Sequence, residues 1–184
     1  MLLFLDVDGT LIPFGGTGPY PEFRAPGEPA PAHPLLSRLD PALGPRLRAL
    51  GCEPVWATTW LDDANTVLAP RLGLPSLAVV EWPQEEPPAG GVHWKTPTLV
   101  TWAAGRPFVW LDDEITRADR SWVAAHHPAP ALLHRVDHRY GLGDADFAVV
   151  EEWIAGFGRV GTAGPSHGEP LERITSAPPL PPLG

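Results

Sequence analysis

Apolar positions in this chain gather into short unbroken runs separated by longer stretches of helical spacing. Residues 2–5 (Leu-Leu-Phe-Leu), 54–58 (Pro-Val-Trp-Ala-Thr), 76–80, 107–111 (Pro-Phe-Val-Trp-Leu) and 131–136 have the length and composition of strands buried on both faces. Between them, Leu35, Leu36, Leu39, Leu43, Leu47 and Leu50 recur at helical spacing over residues 34–51, interrupted or restarted at Pro41 and stopped at Gly51. Helices are also predicted over 61–72, 95–104, 117–125 and, after a Gly141-Leu-Gly143 turn, 144–155. Strands that alternate with helices imply an α/β domain with a parallel sheet and right-handed crossovers.

Composition sharpens this outline in three places. The 184 residues, 43% of them hydrophobic, suit one domain with an ordinary core. Proline is abundant, with 25 residues. Pro13, Pro19, Pro21, Pro26, Pro29, Pro31 and Pro34 make residues 12–34 a loop or flap, because each removes a backbone donor and fixes φ. Residues 159–184 lack periodicity and read as a disordered tail or, on a sharper reading, a Pro-rich partner motif, which leaves 1–158 as the domain.

A formal charge of −9 excludes a long basic track for nucleic acid, though not a local contact with one nucleotide. The opening apolar run is four residues long, has no basic flank and leads directly into Asp6, unlike a signal peptide or a membrane span. With Cys52 as the one cysteine, neither an internal disulfide nor a cysteine-based zinc site is available. A cytoplasmic protein without membrane contact is expected.

The chemistry concentrates at strand ends. The first run delivers Asp6-Val-Asp8-Gly-Thr10, a pattern that ordinary residue usage produces by chance about 10^-5 times per position. Two acids in one pocket can divide labour, one ionised and able to attack, the other donating and then accepting a proton. The competing reading is a turn or helix-cap pair. Asp112-Asp113-Glu114 ends the fourth strand in the same way, although such a run also makes an ordinary first turn for the next helix. In a parallel sheet both couplets emerge at one edge, where ligands bind. Carboxylates without imidazole or thiolate suit a hard cation, Mg2+ before others.

Thr58, or its neighbour Thr59, ends the second strand and can present a hydroxyl to a phosphoryl oxygen, cap the following helix, or do both. Lys95 is the one lysine in the chain and opens the helix that precedes the acidic strand, so its ammonium can reach the same edge. Trp56, Trp110 and Trp153 read as core. Trp60 and Trp94 adjoin Thr58 and Lys95 and either pack or stack on a substrate ring. His93, His126, His127 and His138 form no spaced metal set and receive no role.

In order, Asp6-Val-Asp8-Gly-Thr10, Thr58, Lys95 and Asp112-Asp113 resemble the four motifs of the haloacid dehalogenase superfamily over roughly residues 1–155. The resemblance implies a three-layer Rossmann-like fold and a phosphatase with an aspartyl-phosphate intermediate. Asp6 would be the nucleophile and Asp8 the general acid and base. Thr58 and Lys95 would steady the phosphoryl group. Mg2+ would be held by the side chains of Asp6 and Asp112 and the main-chain carbonyl of Asp8, while Asp113 would bind through water or orient Lys95. Members usually carry a cap after the first motif or between the second and third, and neither interval has room for a full one here. An open site suits a phosphate on a larger molecule, such as a nucleotide, a polynucleotide end or a protein side chain. The stretches Trp56-Ala-Thr-Thr-Trp60 and Trp110-Leu-Asp-Asp-Glu114 are also similar to the superfamily domains of RNA-repair proteins. The alternative is a regulatory protein that keeps the scaffold and binds a phosphorylated ligand with little turnover.

Overall fold

A computed structural model of the chain describes residues 1–23, 33–83 and 90–160. Five strands run parallel in one sheet: β1 (Leu2–Leu5), β2 (Glu53–Trp56), β3 (Ala78–Val79), β4 (Phe108–Asp112) and β5 (Ala131–Arg135). Their order is β3-β2-β1-β4-β5, with Leu5 level with Trp56 on one side and with Leu111 on the other. The chain winds outward from β1 to β3, then crosses back to β4. The switch point therefore lies between β1 and β4.

β1 is apolar at every position because it is buried on both faces. Leu3 and Leu5 pack with Val109 and Leu111 into a layer closed by α1 (Leu43–Ala49), α2 (Ala69–Leu72) and α5 (Asp144–Val160), through Leu43, Leu47, Leu72, Phe147 and Val150. Leu2 and Phe4 point the other way, with Phe108 and Trp110, onto Leu99 and Ala103 of α3 (Thr96–Ala103) and Val123 of α4 (Arg117–His126). Phe4 meets Trp102 and Phe108 edge-on, at ring separations of 5.6 and 5.4 Å. This is a Rossmann-like α/β arrangement with helices on both faces of the sheet. Among the described residues, no helix is long and apolar enough to cross a membrane.

Several elements differ from their sequence expectation for identifiable reasons. The helix expected over 34–51 is a 3₁₀ turn (Pro34–Arg38) followed by α1, the break falling around Pro41 as expected. The stretch 61–72 opens as a turn, continues as a π-helix (Ala64–Leu68) and only then becomes α2. Pro70 has no N–H to give the carbonyl four residues back, and the wider Ala69 N–H to Ala64 bond accommodates it.

β3 keeps two residues of the expected 76–80 because the Asn65 side chain takes over the backbone of Leu77, accepting from its N–H at 2.8 Å and donating to its carbonyl at 2.9 Å. The second strand stops at Trp56, so Thr58 stands two residues beyond it. The last helix extends past 155 to Val160, although glycines at 156 and 158 weaken its intrinsic propensity. Residues 159 and 160 are thus helical where the tail was expected. The rest of the tail, residues 24–32 of the expected flap and 84–89 lie outside the described residues.

The α1 and α2 backbones touch at Gly44. A Cβ built there would sit 1.7 Å from the Leu72 carbonyl oxygen and 2.7 Å from its carbon. Gly44→Ala forces the two helices apart and is expected to cost about 2–4 kcal/mol of stability, read as an earlier urea midpoint with an unchanged m-value.

Candidate functional site

β1, extended by Asp6, and β4, ending in Asp112, place two carboxylates side by side at the carboxyl edge of the sheet, on the two strands that flank the switch point. The Asp6 backbone N–H continues the ladder to the Leu111 carbonyl at 3.1 Å, fixing the relative height of the two acids. Between them stands Lys95, the N-cap residue of α3, whose Nζ donates to Asp6 Oδ1 at 2.6 Å and to Asp112 Oδ2 at 2.8 Å. All three are buried, Lys95 to 4% exposure, Asp6 to 6% and Asp112 to 1%.

Asp113 completes the group. Oxygen atoms of Asp6, Asp112 and Asp113 lie within 4.8 Å of one another. The Asp113 carboxyl rests against Gly9, where a Cβ would come within 2.4 Å of it, and Gly9 also takes φ +81°. Only glycine meets both demands without displacing the acid. The ammonium bonds to Asp112 with Asp6, whereas Asp113 packs on the opposite loop.

Three carboxylates and one ammonium in a buried pocket leave an excess of negative charge. Burial raises the Asp6 pKa to about 7, with Lys95 pulling it down and Asp112 pushing it up. Burial likewise raises Asp113, assisted by the Asp112 charge. Burial alone would lower Lys95, but the charges of Asp6 and Asp112 outweigh it and the ammonium is held more firmly than usual. An all-oxygen set of this charge fits a hard divalent cation.

Asp8 is half-buried, and its Oδ2 accepts the Trp60 indole N–H at 2.9 Å. Thr58 is buried to 1% exposure while Thr59 is exposed. The Thr58 hydroxyl accepts the Trp60 backbone N–H at 3.3 Å, and its carbonyl accepts the Trp82 indole at 3.0 Å. Neither threonine caps the next helix, which begins after Asp63 without a side-chain bond. Asp112 and Asp113 do not cap α4 either, since Thr116 and Asp119 form that capping box. Immediately after Trp60, Leu61 adopts φ +48°, a left-handed conformation that costs a non-glycine residue about 1–2 kcal/mol.

Trp56 and Trp110 are fully buried core residues and Trp153 is partly buried against the core. Trp94 packs edge-on against Trp82 at 4.8 Å, and the Lys95 ammonium lies 5.7 Å from its ring centre.

Two further residues support the site. His93 accepts the Lys95 backbone N–H on Nδ1 and meets Glu114 through Nε2 at 2.9 Å. Asp119, buried completely, accepts from the His93 N–H, the Thr96 hydroxyl, the Thr116 N–H and the Thr116 hydroxyl, at 2.6–2.7 Å each. It ties the start of α3, which carries Lys95, to the start of α4, which follows Asp112 and Asp113. A capping box was readable at Thr116 and Asp119, but not the long-range bonds to His93 and Thr96.

Comparison of the chain with protein-family models, curated proteins and solved structures gives no match.

Burial disfavours the Asp119 charge, yet the hydrogen bonds from Thr116, Thr96 and His93 prevail and hold its pKa below the ordinary carboxylate range. A depressed folded-state pKa stabilises fully above the unfolded value and is lost as the pH falls through the folded one. Asp119→Ala is expected to cost about 2–4 kcal/mol at neutral pH by orphaning those donors. In urea titrations against the parent protein, the gap should stay constant down to the ordinary carboxylate range and narrow below it.

Proposed function

We propose that the chain is a Mg2+-dependent phosphomonoesterase of the haloacid dehalogenase type, acting through an aspartyl-phosphate on Asp6. The observation that carries this reading is the meeting of Asp6, Asp112 and Asp113 around Lys95 at the switch point of a parallel sheet. The order of the motifs along the chain supports the same reading.

Asp6 and Asp112, with the main-chain carbonyl of Asp8, would hold the ion, and Asp113 would reach it through water. When bound, Mg2+ would offset the charge of the substrate's phosphoryl oxygens and of the acids themselves. Asp6 attacks phosphorus as a carboxylate, so its elevated pKa makes cationic neighbours a requirement for the nucleophile. The bond from phosphorus to the leaving oxygen breaks as that oxygen takes a proton from Asp8. Water then attacks the aspartyl-phosphate, giving a proton back to Asp8, and the phosphorus–Asp6 bond breaks to release phosphate. Thr58 and Lys95 steady the phosphoryl oxygens through both steps.

A cavity of about 520 Å3 is lined by Leu11, Leu142, Tyr20, Phe23, Arg38 and Tyr140, none of them a residue of this centre. The larger-substrate reading rests instead on the short intervals between the motifs, which have no room for a full cap and so suit a phosphate borne by a nucleotide, a polynucleotide end or a protein.

Purified protein is expected to release phosphate from p-nitrophenyl phosphate with added Mg2+ and to stop when the metal is chelated. Asp6→Asn should lower kcat by about a thousandfold or more. Normal turnover by that variant would overturn the assignment of the nucleophile. Phospholigand binding without phosphate release, across nucleotides, oligonucleotide ends and phosphopeptides, would replace the enzyme with a binding protein.

A further inference from the structure

Trp60 is placed by three features that act together on one side chain. Its backbone N–H is held by the Thr58 hydroxyl, its successor Leu61 occupies the left-handed region at φ +48°, and its ring meets His33 edge-on at 5.5 Å. The result is that its single polar atom, the indole Nε1–H, reaches 52 residues back along the chain to Asp8 Oδ2 at 2.9 Å. Leu61 is a large residue left 45% exposed, so burial of its side chain offsets its backbone strain only in part. Strain of this kind persists where the surroundings over-determine it, and the neighbouring π-helix, Ala64–Leu68, is a second irregularity in the same segment.

We propose that Trp60 is a positioning residue for Asp8, fixing the rotamer from which this carboxyl protonates the leaving group. The inference rests on the phosphatase reading above and extends it to a residue outside the four motifs. An indole is suited to the task because it donates only. It bonds to one carboxyl oxygen in either protonation state, leaving the other free to carry the transferred proton to the leaving oxygen and later to receive one from water. A carboxyl held in this way spends less of its time in unproductive orientations, which is how a side chain that never touches the substrate changes the rate. The strained turn keeps the donor from swinging out to water.

Leaving-group dependence separates this role from a structural one. p-Nitrophenolate departs without a proton, whereas an alkoxide needs one. Trp60→Phe keeps the ring and removes the donor. It is expected to lower kcat/KM, which reports the steps up to departure of the leaving group, on an alkyl phosphate such as glycerol phosphate by about tenfold while changing kcat/KM on p-nitrophenyl phosphate by less than about twofold. A readout independent of turnover accompanies it. Among the indole 15N–1H resonances of the eight tryptophans, the one missing in Trp60→Phe should be the one displaced most in Asp8→Ala. Equal losses of kcat/KM on both substrates, no loss on either, or an unmoved indole resonance in Asp8→Ala would overturn the role of Trp60 while leaving the phosphatase intact. Failure of the parent protein on both substrates would remove the phosphatase reading, and this inference with it.

Discussion

The structure turns on one ammonium between two carboxylates. Lys95 bonds to Asp6 and Asp112 in a space almost closed to water, where an unpaired charge is costly and a paired one is worthwhile only when its geometry is good. Each partner comes from a different part of the chain: the central strand, its parallel neighbour, and the helix that leads into that neighbour. The triad exists only if β1 and β4 lie in register and α3 packs at the right height, so it reports on the whole fold. It also keeps two acids together that would otherwise repel, an arrangement unsuited to stability alone and suited to holding cations.

Hydrogen bonds around the triad serve the same end from further away. Asp119 clamps the approaches of α3 and α4 to each other, which fixes the direction from which Lys95 enters. Gly9 clears space for Asp113, and the Asp6 N–H extends the ladder one step beyond the apolar strand. Local irregularities gather on the other flank, where Leu61 and the π-helix shape the segment that carries Thr58 and Trp60. The site thus has a rigid, sheet-anchored half and a half built from strained loop.

This division explains what the amino-acid sequence disclosed. Parallel strands buried on both faces appear as unbroken apolar runs, so β1, β4 and the acids at their ends could be read directly. Their meeting followed from topology, because parallel strands point all their carboxyl ends to one edge. What could not be read were bonds made by side chains across long intervals. Asn65 shortens β3 by serving the Leu77 backbone, and Asp119 reaches His93 and Thr96; such bonds obey no period. The widened turn at Ala64–Leu68 had a local cause in Pro70, but a helical spacing of apolar residues fits π and α turns alike. His93 received no role because its partner Glu114 comes from beyond the next strand, and its bond to the Lys95 backbone two residues on follows no period.

The solitary lysine has a chemical corollary. With Lys95 the one lysine of the chain and its amine sealed between two acids, amide formation at a side chain, reductive alkylation of a side-chain amine and lysine-directed cleavage have a single address, shut in the folded state. Reactivity at that amine therefore measures how often β1, β4 and α3 part company, an intrinsic clock for the opening of the molecule's centre.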